Sequence, residues 1–181
     1  MTIILYGFTL DFMKTKRFFL LLILSLNSLV FAQNVLEKIA EQKLFNVPVF
    51  PPVQNIKQVT KEYNLNLLSY NQLVVDFSCD LQFNNYKITG LKYDFNPRRE
   101  TEYRIHCSKR DYNLLLTHYF NETSILLSVD YFSDENVIAH SFINSETGVL
   151  TILAISNTDD EDNVFCSVNF IYDIELTGSI N

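Results

Sequence analysis

From Val164 to Leu176 apolar side chains recur at every second position: Val164, Cys166, Val168, Phe170, Tyr172, Ile174 and Leu176, with mostly polar neighbours between them. A period of two fits an extended strand with one buried face, because successive side chains of a strand point to opposite sides. The same period governs Leu73, Val75, Phe77, Cys79, Leu81 and Phe83. A chain built from long strands of this kind must cover the apolar side of a sheet. No other feature constrains the fold as much.

The pattern extends in both directions. Asn84-Asn85 suits a two-residue hairpin turn, since Asn tolerates positive φ. Beyond it Tyr86 and Ile88 fall in one phase, and Leu91, Tyr93 and Phe95 in the other. A one-residue slip would turn the core face outward, so a bulge at Thr89-Gly90 is expected to restore it. Further strands are expected around Tyr103, Ile105 and Cys107, then Leu114, Leu116 and Phe120, then Ile125, Leu127, Val129 and Tyr131. Residues 137–143 and 149–155 are apolar on both faces and read as central or covered strands. The eight strands are linked by short connections such as Pro97–Glu100, Ser108–Asp111, Ser133–Asn136, Asn144–Gly148 and Asn157–Asp162. Short connections make neighbouring strands antiparallel. The expected fold is mainly β: an antiparallel eight-strand meander over residues 65–181. It would close as an up-and-down barrel or bend into a strongly curved sheet or sandwich.

Ahead of the strands the period is helical. Asn34 and Glu37 have the spacing of a capping box, and Val35, Leu36, Ile39, Ala40 and Leu44 recur on one helical face. A short helix is expected over 35–45, ended by Pro48, Pro51 and Pro52. Val53, Ile56, Val59 and Tyr63 suggest a second. Residues 33–64 therefore form a short helical N-terminal segment.

Residues 1–32 read as an N-terminal extension and a cleavable signal peptide. Lys14, Lys16 and Arg17 precede an apolar run from Phe18 to Leu29, and Val30-Phe31-Ala32 has the form of a cleavage site before Gln33. Met13 makes a better start than Met1. The apolar run is short for a span of about 20 residues, so no stable membrane span is expected after cleavage. Export to the periplasm or the exterior follows. The remainder, roughly 150 residues, is one domain's worth.

The whole chain carries a formal charge of −7, and cleavage would remove three bases against one acid. An acidic surface repels phosphate backbones, which disfavours nucleic acid, and it suits a basic partner. Cys79, Cys107 and Cys166 all fall in the apolar phase of their strands. In an exported protein a disulfide is expected between Cys107 and Cys166, with Cys79–Cys107 as the alternative. His106, His118 and His140 lie on three different strands with no metal-ligand spacing, and His118 is in phase with the apolar positions of its strand. Asn121-Glu122-Thr123 matches a glycosylation sequon, relevant only to a eukaryotic source.

Asp159, Asp160, Glu161 and Asp162 form an acidic loop without a Gly turn, which reads as a solvated loop rather than a calcium site. In a meander it would share one end of the sheet with Lys109, Arg110, Asp111, Asp134 and Glu135, with Arg98 and Arg99 at the other end. That loop is a candidate partner-docking site. No catalytic constellation, cofactor motif or metal set is present in the sequence. The functional expectation is an exported, non-catalytic protein-binding or inhibitory β module, whose partner is another protein. The alternative is a barrel-type carrier of a small apolar ligand.

Overall fold

The computed structural model describes residues 33–119 and 123–173. The chain divides into two compact units, residues 1–38 and residues 39–181, and the sheet belongs to the second. The leader-like stretch before Gln33, the sequon residues Asn121 and Glu122, and the strand residues Ile174 and Leu176 lie outside the described residues.

Residues 33–41 are helical (α1). The helix ends earlier than its periodicity suggests because the chain turns back on itself at once. Lys43–Leu44 (β1) pairs with Val47–Pro48 (β2), and the turn residues Phe45 and Asn46 take φ of 51° and 66°. A 3-10 turn over Val53–Asn55 leads into Ile56–Glu62 (α2), the expected second short helix. Val59 is its buried residue, and Asn64 closes it in the left-handed region, a conformation Asn accepts.

Eight antiparallel strands follow: Asn66–Asn71 (β3), Val74–Phe83 (β4), Tyr86–Asp94 (β5), Arg98–Cys107 (β6), Ser124–Phe132 (β7), Val137–Asn144 (β8), Leu150–Ser156 (β9) and Val164–Asp173 (β10). Their spatial order is β3-β4-β5-β6-β10-β9-β8-β7. The mainly β, eight-strand antiparallel class behind two short helices is therefore as expected. Its wiring is not a single meander. Two four-strand meanders meet at the centre, where β6 and β10 pair from Cys107↔Val164 to Arg98↔Asp173.

The link between the meanders is a helix, Lys109–Tyr119 (α3), which carries the chain from the centre of the sheet to its far edge. This corrects the strand expected at Leu114 and Leu116; Phe120, the third residue of that strand, lies outside the described residues. Ser108 and Asp111 cap the helix: the Asp111 amide donates to Ser108 Oγ at 3.1 Å, and Ser108 Oγ donates to Asp111 Oδ2 at 2.6 Å. Tyr112 and Leu115, three apart, are buried while Leu114 is exposed, so a helical period overrides the period of two. The eighth strand is β3, whose Asn-Leu-Leu-Ser-Tyr-Asn sequence does not alternate.

Among the described residues the sheet is open: β3 and β7 each pair on one side only, so it does not close into the barrel that was one of the two expected forms. Its buried face is covered by two separate pieces. Over β5 and β6 lies the stretch around Pro48 and Val49: Tyr93 Oη and Tyr103 Oη each donate to the Pro48 carbonyl at 3.0 Å, and Thr101 Oγ1 donates to the Val49 carbonyl. Over β8 to β10 lies α3, where Tyr112 Oη donates to the Leu153 carbonyl at 3.2 Å and the Tyr119 ring packs on Phe142 and Phe170.

The bulge at Thr89-Gly90 is present. Ile88 pairs with Ile105 and Gly90 with Arg104, leaving Thr89 unmatched, and Ile88, Leu91 and Tyr93 are all buried as a result. Gly90 also gives Arg104 room. A Cβ at this position would lie 2.2 Å from Arg104 Nε, so only glycine lets the guanidinium cross the sheet to Asp76 and to the Phe77 carbonyl at 3.0 Å. The Asn84-Asn85 hairpin forms as expected, with Phe83 opposite Tyr86 and Asn84 at φ 51°.

Candidate functional site

The three cysteines point into the core, as their phase requires. Cys107 Sγ and Cys166 Sγ lie 3.6 Å apart on adjacent strands. A disulfide needs about 2.05 Å, so the pair stands as two hydrogen-bonded thiols. Cys79 lies on β4, with β5 between it and Cys107, and its thiol donates to the Ile88 carbonyl at 3.5 Å. The alternative Cys79–Cys107 pairing is therefore blocked by an intervening strand. Burial pushes the Cys79 thiol up to about 11. Cys166 is held protonated by its hydrogen bond to Cys107 and by burial. Thiols held in this way make poor nucleophiles.

The histidines do not converge. His106 sits on the uncovered face beside Phe165, with Nδ1 3.3 Å from Asn163 Oδ1. His118 is exposed on α3 rather than turned to the interior of a strand. His140 on β8 lies against Tyr112, 3.2 Å from its Oη, and burial lowers its pKa. Among the described residues no three His, Cys, Asp or Glu side chains gather closely enough to hold a metal ion.

The loops at 108–111, 133–136 and 157–162 share one end of the sheet, as the pairings Cys107↔Val164, Phe132↔Val137 and Val137↔Ser156 require. Several of the acids there serve the loops themselves. Asp160 Oδ1 accepts the Asp162 and Asn163 amides at 3.0 and 3.1 Å. The Lys109 amide donates to the Glu161 carbonyl at 2.8 Å. An open hollow of about 450 Å³ lies among Asn85, Ser108, Arg110, Asp111, Leu114, Glu161 and Asp162. Its Asp111 carboxylate is committed to Ser108 and Asn85, whose hydrogen bonds hold its pKa below the usual carboxylate value.

The unusual surfaces are the two sheet edges. On β7 the apolar side chains Ile125, Leu126, Leu127, Val129, Tyr131 and Phe132 are 40–59% exposed. On β3 Leu67, Leu68 and Tyr70 are 59–68% exposed. Alternation alone would bury half of the β7 set, but β7 lies beyond the helix that covers β8 to β10. Natural edges are usually blunted by Lys, Pro or inward charges. Neither strand contains Lys, Arg or Pro, and Asp130 is their one charge. Each does carry a bulge, at Leu68 and at Leu127.

The charge of the chain is unevenly divided as well. All 14 Lys and Arg residues lie at or before Arg110, so the second meander contains none, while Asp130, Asp134, Glu135, Glu146 and the 159–162 run lie within it. These edges were hard to find by periodicity, but the missing gatekeeper residues on β7 were a readable sign.

Fold and edges define a class: an open, wholly antiparallel eight-strand sheet crossed by one helix, with an apolar strand exposed at each side. No protein-family model, curated protein or solved structure matches the chain.

Proposed function

We propose that the chain is an exported, non-catalytic protein-binding or inhibitory module, and that it binds by accepting a partner strand at an open sheet edge. The single observation that carries this reading is β7: nine residues of edge that pair on one side only among the described residues, with apolar side chains exposed on both faces. An extended partner segment laid along it gains main-chain hydrogen bonds and covers those side chains, with pockets for alternate residues. The acidic surroundings of β7 favour a segment with basic flanks. The export part of the proposal rests on the leader from Met13 to Ala32.

Site-specific photo-cross-linking in the native host tests the reading. A photoreactive side chain at Val129 or Tyr131 is expected to give a defined protein adduct, and one at Lys87 on β5 is not. Adducts of equal yield from all three positions, or none from either β7 position, would overturn it.

A further inference from the structure

We propose that the partner strand is supplied by a second copy of this chain, which adds its β3 to β7 in a head-to-tail contact. This rests on the edge-binding reading and names its partner. Three observations carry it.

First, the two edges are matched in direction. Strands alternate across the eight-strand sheet, so β3 and β7 run opposite ways. A copy continuing the sheet in the same orientation therefore presents β3 antiparallel to β7, as every other pair in the sheet is arranged.

Second, the covered face continues across the junction. Leu67 and Tyr70 on β3 pair with the buried Phe77 and Val75. Leu126 on β7 pairs with the buried Phe142, and Val129 and Tyr131 follow the same side. Side by side, these residues would cover each other beyond the reach of both existing covers.

Third, the charges complement one another in this arrangement. Antiparallel addition sets the entry of β3 against the exit of β7. The entry of β3 follows Lys57 and Lys61, both exposed on α2, and the exit of β7 leads to the exposed Asp134 and Glu135. Pairing β7 with the β7 of another copy would instead bring together two meanders that hold acids and no Lys or Arg. Like charge disfavours that isologous contact. A contact between two different surfaces leaves a free edge at each end, so assembly would extend past the dimer.

Sedimentation velocity of the mature protein, over a concentration series, reads the outcome. Wild type is expected to grow past the dimer as concentration rises, and to weaken with added salt. Lys57→Glu/Lys61→Glu alone, and Asp134→Lys/Glu135→Lys alone, should each associate about tenfold more weakly or worse. An equimolar mixture of the two should recover assembly, because each mixed contact again joins opposite charges. All four positions are exposed, and circular dichroism checks that the variants keep the fold. A wild type monomeric at every concentration overturns the proposal, as does a dimer indifferent to both variants or a mixture that fails to recover. If wild type stays monomeric while Val129 and Tyr131 still cross-link to another protein in the host, the edge reading stands and the second-copy assignment falls.

Discussion

Tyr112 Oη and His140 Nδ1 lie 3.2 Å apart and tie the crossover helix to β8, the strand next to the open β7 edge. The same hydroxyl donates to the Leu153 carbonyl, so the contact spans two strands. Burial lowers the His140 pKa from 6.5. The unfolded chain therefore takes up a proton at a pH where the folded one does not. The stability that His140 contributes is complete above the unfolded value near 6.5 and is lost as pH falls toward the lower folded value. Urea titrations are expected to show a midpoint that falls from about pH 7 to about pH 5. His140→Gln should flatten part of that decline. An unchanged pH slope in the variant would remove this role.

Ser108 is expected to act as the N-cap of α3. Ser108→Ala removes its bond to the Asp111 amide and should cost about 1 kcal/mol. It also takes away the main hydrogen bond that lowers the Asp111 pKa. The stability tied to that carboxylate is present above the unfolded Asp value of 3.8 and is lost as pH falls through the lower folded value. The variant should therefore lose less stability on acidification than wild type. Equal acid sensitivity of the two proteins would contradict the assignment.

Gly90→Ala should destabilise by about 1–3 kcal/mol, because its Cβ occupies the place of the Arg104 guanidinium. The cost should shrink when Arg104 is first shortened. A cycle of Gly90→Ala, Arg104→Ala and the double variant is expected to show coupling of at least about 0.5 kcal/mol. Additive effects would place the cost in the backbone of the bulge instead.

Much of the fold was legible because burial writes itself into alternation. β4, β5, β6 and β10 have one buried face each, and the phase change at Thr89-Gly90 marks the bulge in the sequence itself. Beside the short β1–β2 hairpin, two elements escaped for opposite physical reasons. In α3, Leu114 and Leu116 mimic a strand, while the helical spacing of Tyr112 and Leu115 and the capping pair Ser108 and Asp111 are easy to pass over. β3 is exposed along its whole length, so no face selected its residues. The closed barrel failed for a related reason: strand patterns report which side is buried, not whether the first strand meets the last. The site was the least legible part, since the alternation of β7 promised a buried face that the structure leaves uncovered.

The claim that an open edge is the binding surface is tested most directly by amide hydrogen exchange. The protein would be isolated with its partner, of whatever kind, still bound, then compared with the same chain stripped of it. Slow exchange is expected along Ser124–Phe132 in the assembled form and fast exchange there in the stripped chain, with no difference along β6 and β10. Equal exchange of Ser124–Phe132 in both forms would contradict it.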